Sequence, residues 1–128
     1  MNKPLIAFLF FPLFAYADYQ CDNITTSNQV YLCSKQSLEK SDAALNKTYK
    51  DLLSQVVKDY QSDEKLKNEY TNKIKLSQRA WVDFRDKNCQ VFSFQIEENT
   101  EAYEATTNMC KDKMTQERTR DLLSIMKQ

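Results

Sequence analysis

Apolar and small positions recur at helical intervals along three stretches of the chain. In the first, residues 28–60, one face carries Val30, Cys33, Ser37, Ala44, Leu45, Thr48, Tyr49, Leu52, Leu53, Val56 and Tyr60. That stripe is weakly apolar through Ser41 and strongly apolar from Leu45. Thr25, Thr26 and Ser27 supply N-cap hydroxyls, and Ser41-Asp42 offers a second cap at which the helix either breaks or runs on. Gln61, Ser62 and Asp63 form a polar connector, with Ser62 or Asp63 capping a second helix over residues 64–91. Its face reads Leu66, Tyr70, Ile74, Ser77, Trp81, Phe84 and Asn88, with Arg79, Asp83, Asp86 and Lys87 on the other side. So short a connector predicts an antiparallel pair. Residues 92–107 show the least periodicity, and Phe92 and Phe94 are expected to tuck inward there. A last helix is expected over residues 106–126, with Met109, Cys110, Met114, Leu122, Ile125 and Met126 on its apolar side. The pattern predicts an all-α fold, a small antiparallel bundle of three to four helices.

The first 17 residues read as a signal peptide. A short basic start (Lys3) precedes an apolar run from Leu5 to Phe14, and Ala15-Tyr16-Ala17 is the small-x-small pattern of a cleavage site. The run is too short to span a bilayer. The expectation is cleavage after Ala17 and one exported helical domain over residues 18–128, periplasmic or secreted, with no membrane anchor. Cys21 is not the first residue after the cut, which argues against a lipoprotein.

Composition sharpens the helical reading. The chain has no glycine, and both of its prolines lie in the leader. Nothing in the remainder is a strong helix breaker. There is also no histidine, which removes Ser-His and Cys-His nucleophile pairs and imidazole metal ligands. Of 18 basic and 18 acidic residues, loss of Lys3 leaves a net charge of −1. That is no footprint for nucleic acid or for an anionic membrane surface. Four cysteines in a small exported chain predict two disulfides. Of three connectivities, nearness in sequence favours Cys21–Cys33 with Cys89–Cys110. No C-x-x-C spacing exists, so neither a metal site nor a cofactor is expected.

The segment Ser77 to Cys89 holds the only Trp, Trp81, and its side chain reads as core. Arg85, four residues on, is expected to lay its stem along that core and to place its guanidinium on a ring face or a carboxylate. Asp83 and Lys87 read as a solvated pair. Arg118 falls on or beside the buried stripe of the last helix and requires a partner, with Glu117, Asp121 or an acid of another helix as candidates. Glu97, Glu98, Glu101 and Glu104 lie in a stretch with no Lys or Arg between Gln90 and Cys110. They read as a solvated acidic loop or as a docking surface for a basic partner. As a catalytic carboxylate pair, Glu97 and Glu98 lack the apolar pocket that would raise one pKa. The expectation is a non-enzyme that binds a partner protein.

Four motifs in order resemble the LprI-like lysozyme inhibitor family. They are the early Cys21 and Cys33; Asp42, Leu45, Asn46 and Tyr49 in the pattern A/S-D-x-x-L-N-x-x-Y; Gln78, Trp81, Phe84, Arg85, Asp86 and Cys89 in Q-x-x-W-x-x-[YF]-R-D-x-x-C; and Cys110, Thr115, Arg118 and Leu122 in C-x4-T-x2-R-x3-L. The resemblance implies an exported, disulfide-bearing helical domain that binds and inhibits lysozyme. The motif residues are expected to be architectural. Relatives often place glycines and small residues between the last two cysteines, where this chain has its glutamates. A different class of role is a cell-envelope structural or toxin-immunity module that binds another exported protein. Carbohydrate binding through Tyr103 is a third.

Overall fold

The computed structural model describes residues 19–128, so the expected signal segment and its cleavage point lie outside the described residues. The described residues form three helices in order: α1 Ser27–Asp59, α2 Glu64–Phe92 and α3 Glu101–Met126. Among the described residues there is no strand, and no helix is long and apolar enough to cross a membrane. Two disulfides close the bundle, Cys21–Cys33 and Cys89–Cys110.

Local chemistry sets the helix ends. Thr26 caps α1 in a reciprocal box: its hydroxyl accepts from the Gln29 N–H at 3.2 Å, and the Gln29 side-chain oxygen accepts from the Thr26 N–H at 3.1 Å. Asp63 caps α2, accepting from the Leu66 N–H at 2.9 Å. No break occurs at Ser41-Asp42. The Ser41 hydroxyl donates back to the Leu38 carbonyl at 3.0 Å instead of capping a new helix, and Asp42 turns towards α2.

The last helix starts five residues earlier than its periodicity suggests. Thr100 is its cap, accepting from the Tyr103 N–H at 3.2 Å. Asn99 precedes it at φ 64°. That is the left-handed conformation glycine would ordinarily supply, and asparagine tolerates it best among the alternatives. Glu101 and Glu104 therefore sit in the first turn of α3, where the helix dipole favours negative charge.

Although α2 returns antiparallel to α1, the main packing of α1 is against α3. These two helices run parallel in steady register. Asn28 donates to Glu101 at 3.0 Å, Ser37 to Asp112 at 2.8 Å, and the Gln55 amide to the Met126 carbonyl at 3.0 Å. Small buried residues on both helices (Ser34, Ser41, Ala105, Thr107, Thr115) allow the close approach.

The core is not evenly spread. Leu45, Leu52, Val56, Ile74 and Leu122 form one buried cluster, flanked by Tyr49, Tyr60, Tyr70, Trp81 and Ile125. It lies towards the end where α1 turns into α2. At the opposite end the buried residues are Ser34, Ser93, Thr107 and Ala105 with Cys33 and Cys89, and both disulfides are found there.

Candidate functional site

The inner face of α2 differs from the expected one by about one residue. Ile74, Gln78 and Cys89 are buried and Tyr70, Trp81 and Arg85 are partly so, whereas Leu66, Ser77 and Phe84 are exposed. Arg85 is thus brought inward, with its side chain only 11% exposed. Its Nη1 donates to Asp42 Oδ1 at 2.8 Å and to Thr115 Oγ1 at 3.0 Å, and its Nε donates to Asp86 Oδ1 at 2.9 Å. Lys111 Nζ stands 3.5 Å from the same Asp86 oxygen. One guanidinium therefore ties all three helices together. Asp42 and Asp86 keep about 40% of their side-chain exposure, so the desolvation cost falls mainly on the cation. Charge-assisted bonds offset it.

Trp81 lies beside this junction. The guanidinium carbon of Arg85 is 5.3 Å from its ring centroid and that of Arg118 is 5.8 Å away. The hydrogen-bond partners of Arg118 are neutral, with Nε donating to Gln78 Oε1 and Nη2 to Ser77 Oγ, each at 3.0 Å, while Asp121, one of the acids expected, acts on it through charge alone. Burial lowers the Arg118 pKa from its ordinary value, and the Asp121 charge partly opposes that shift. Asp83 and Lys87 form the exposed pair expected, at 2.9 Å.

Seven of the motif residues therefore meet at mid-bundle and contact one another. Asp42, Gln78, Trp81, Arg85, Asp86, Thr115 and Arg118 belong to this junction. Leu45 and Tyr49 belong to the apolar cluster beside it, and Asn46 and Phe84 face outward. Among the described residues, no group of three or more His, Cys, Asp or Glu is placed to hold a metal.

A second constellation lies where α2 passes into α3. Ser93 is fully buried, its hydroxyl 3.2 Å from the Cys89 carbonyl and 2.7 Å from Thr107 Oγ1. The Cys89–Cys110 bridge ties the two helices together at a Cα–Cα distance of 5.6 Å, within the ordinary span of a disulfide. One turn beyond it the buried side chains are small and polar, Ser93 and Thr107. Phe92 and Phe94, expected inside, are displaced outward to 70% and 84% exposure, and Val91 to 73%. Glu97, Glu98, Glu101 and Glu104 are exposed around the same end, where Glu101 Oε1 accepts from Asn28. The one sequence signal for this arrangement is Ser93 itself, four residues after Cys89 and between two rings.

A family model described as Lysozyme inhibitor LprI matches residues 20–122. The chain belongs to the LprI family. The Escherichia coli (strain K12) protein described as Uncharacterized protein YecT is 32% identical over 105 residues. That alignment covers 79% of this chain and 65% of YecT, so the chain spans less than two thirds of that relative's length. A crystal structure of a DUF1311 family protein from Pseudomonas putida KT2440 superposes with a TM-score of 0.72. It is 22% identical and covers 83% of this chain and 99% of the other, a likeness of fold. In this member of the family, the motif pieces that are far apart in sequence are the ones Arg85 and Trp81 draw together.

Proposed function

We propose that the protein is an exported, non-enzymatic module, periplasmic or secreted after cleavage behind Ala17, that binds lysozyme and inhibits it by protein–protein contact. Membership of the LprI family is the observation that carries this reading. Two disulfides suit an oxidising compartment. The acidic edge of Glu97, Glu98, Glu101 and Glu104 suits a basic partner, and c-type lysozymes are basic. Such complementarity raises association rate more than affinity.

The test is a lysis assay. The oxidised chain from Asp18 onward is titrated against c-type and g-type lysozymes on bacterial cell walls, with binding measured in parallel. Inhibition near equimolar ratio that disappears on reduction is the expected result. Absence of both inhibition and binding at micromolar concentration overturns the reading, and directs attention to an envelope protein or exported toxin as the partner.

A further inference from the structure

We infer that the end of the bundle where α2 meets α3 is the docking face for a basic protein, with Phe92 and Phe94 as its apolar anchors and the glutamates as its charged rim. The inference rests on the lysozyme reading and deepens it by naming the surface.

Among the described residues nothing covers these rings. Ser93 takes the inward position between them, so neither Phe92 nor Phe94 has a place in the core. Val91 extends the exposed surface, and Phe84, at 59% exposure, lies two turns before it on the same flank of α2. Large rings at the centre and polar groups at the margin are the usual anatomy of a binding surface.

The surface is also held in shape. Cys89–Cys110 ties its base. The Phe94 N–H donates to the Val91 carbonyl at 3.3 Å, the Ile96 N–H to the Ser93 carbonyl at 2.9 Å, and the Thr100 hydroxyl to the Glu97 carbonyl at 2.7 Å. Rings presented on a fixed backbone lose little further freedom on binding.

Charge selects the occupant. From Val91 to Met109 there are four glutamates and no lysine or arginine. A second copy docked by the same face would set acid against acid, and an anionic membrane would repel it. A partner of positive surface charge with a cleft or hollow wide enough for aromatic side chains satisfies both features.

The experiment measures binding of a purified c-type lysozyme to the oxidised wild-type chain, to the Phe92→Ser/Phe94→Ser double variant, and to Leu76→Ser. Leu76 is comparably exposed but projects from the back of α2, away from the buried Ile74 side. The double variant is expected to bind about thirtyfold more weakly, chiefly through faster dissociation. Its melting temperature should stay unchanged, and Leu76→Ser should bind as wild type. Wild-type binding with an unaffected double variant, or equal loss in both variants, overturns the docking face and leaves the lysozyme reading intact. Absence of wild-type binding overturns both. A wild-type dimer in sedimentation that the double variant abolishes overturns the inference in favour of a second copy.

Discussion

The two ends of the bundle are held by different forces. Where α1 turns into α2, aliphatic and aromatic side chains exclude water: Leu52 and Leu122 are fully buried, and Tyr60 meets Tyr70 edge-on at 5.8 Å. At the other end the interior is serine, threonine and alanine, which bury little apolar area, and two covalent bridges hold it instead. A small domain has few large side chains to distribute. Here the bridged end has Val91, Phe92 and Phe94 in its sequence and keeps them outside. Disulfides release these residues from core duty, and the Arg85 junction lies between the two regimes.

Reduction is the largest perturbation of this contrast. Each bridge contributes about 3 kcal/mol for loops of this length, and both act on the end with the weaker core. Reduced protein should therefore lose amide protection first around Ser34, Ser93 and Thr107, and last around Leu52, Ile74 and Leu122. Hydrogen exchange followed by fragment mass analysis reads this directly. Uniform loss of protection would show that the ends are not separately held.

Arg85→Ala comes next, because it removes the joint between the two regimes. Breaking a buried charge-paired group costs about 3–5 kcal/mol. The lower end applies here, since Asp42 and Asp86 retain access to water. Chemical denaturation of the oxidised variant should show a loss of about 3 kcal/mol. Arg85→Lys should recover only part of it, because an ammonium cannot reach Asp42, Asp86 and Thr115 as the guanidinium fork does. Lysozyme binding per folded molecule should be retained in both variants.

Much of this was legible in the chain. Thr26 and Asp63 are cap residues by type and position, the disulfides follow nearness in sequence, and the Leu45–Leu52–Val56 stripe has helical spacing. The misreadings have a common cause. Hydrophobicity placed Phe84 inside and Phe92 and Phe94 beneath a loop, because it treats rings as core material. Arg85 lies along the core on a ring face and two carboxylates, as its position suggests, but the structure also places Gln78, Ser93 and Thr115 inside, since a polar junction and a disulfide each set the local spacing between helices. No periodicity count contains that distance. The early start of α3 was hidden similarly: Glu101 and Glu104 resemble loop charges until Thr100 is recognised as a cap.

The charge rim carries the smallest effect, and its glutamates divide between loop and helix. Reversing all four glutamates together would confuse two physical roles. Glu101 and Glu104 sit in the first turn of α3, and turning both to lysine should cost about 1 kcal/mol through the helix dipole. Glu101 would also lose its bond from Asn28. Glu97 and Glu98 precede the helix and are exposed, so Glu97→Lys/Glu98→Lys should leave stability within about 0.5 kcal/mol of wild type. If the rim steers a basic partner, this pair alone should slow association with a c-type lysozyme several-fold at low salt and flatten its salt dependence. Dissociation should change less. Stopped-flow association rates at two ionic strengths decide the matter. Unchanged rates in the Glu97/Glu98 variant, beside a strong loss of affinity in the Phe92/Phe94 variant, would reduce the acidic rim to a solubilising border around the rings.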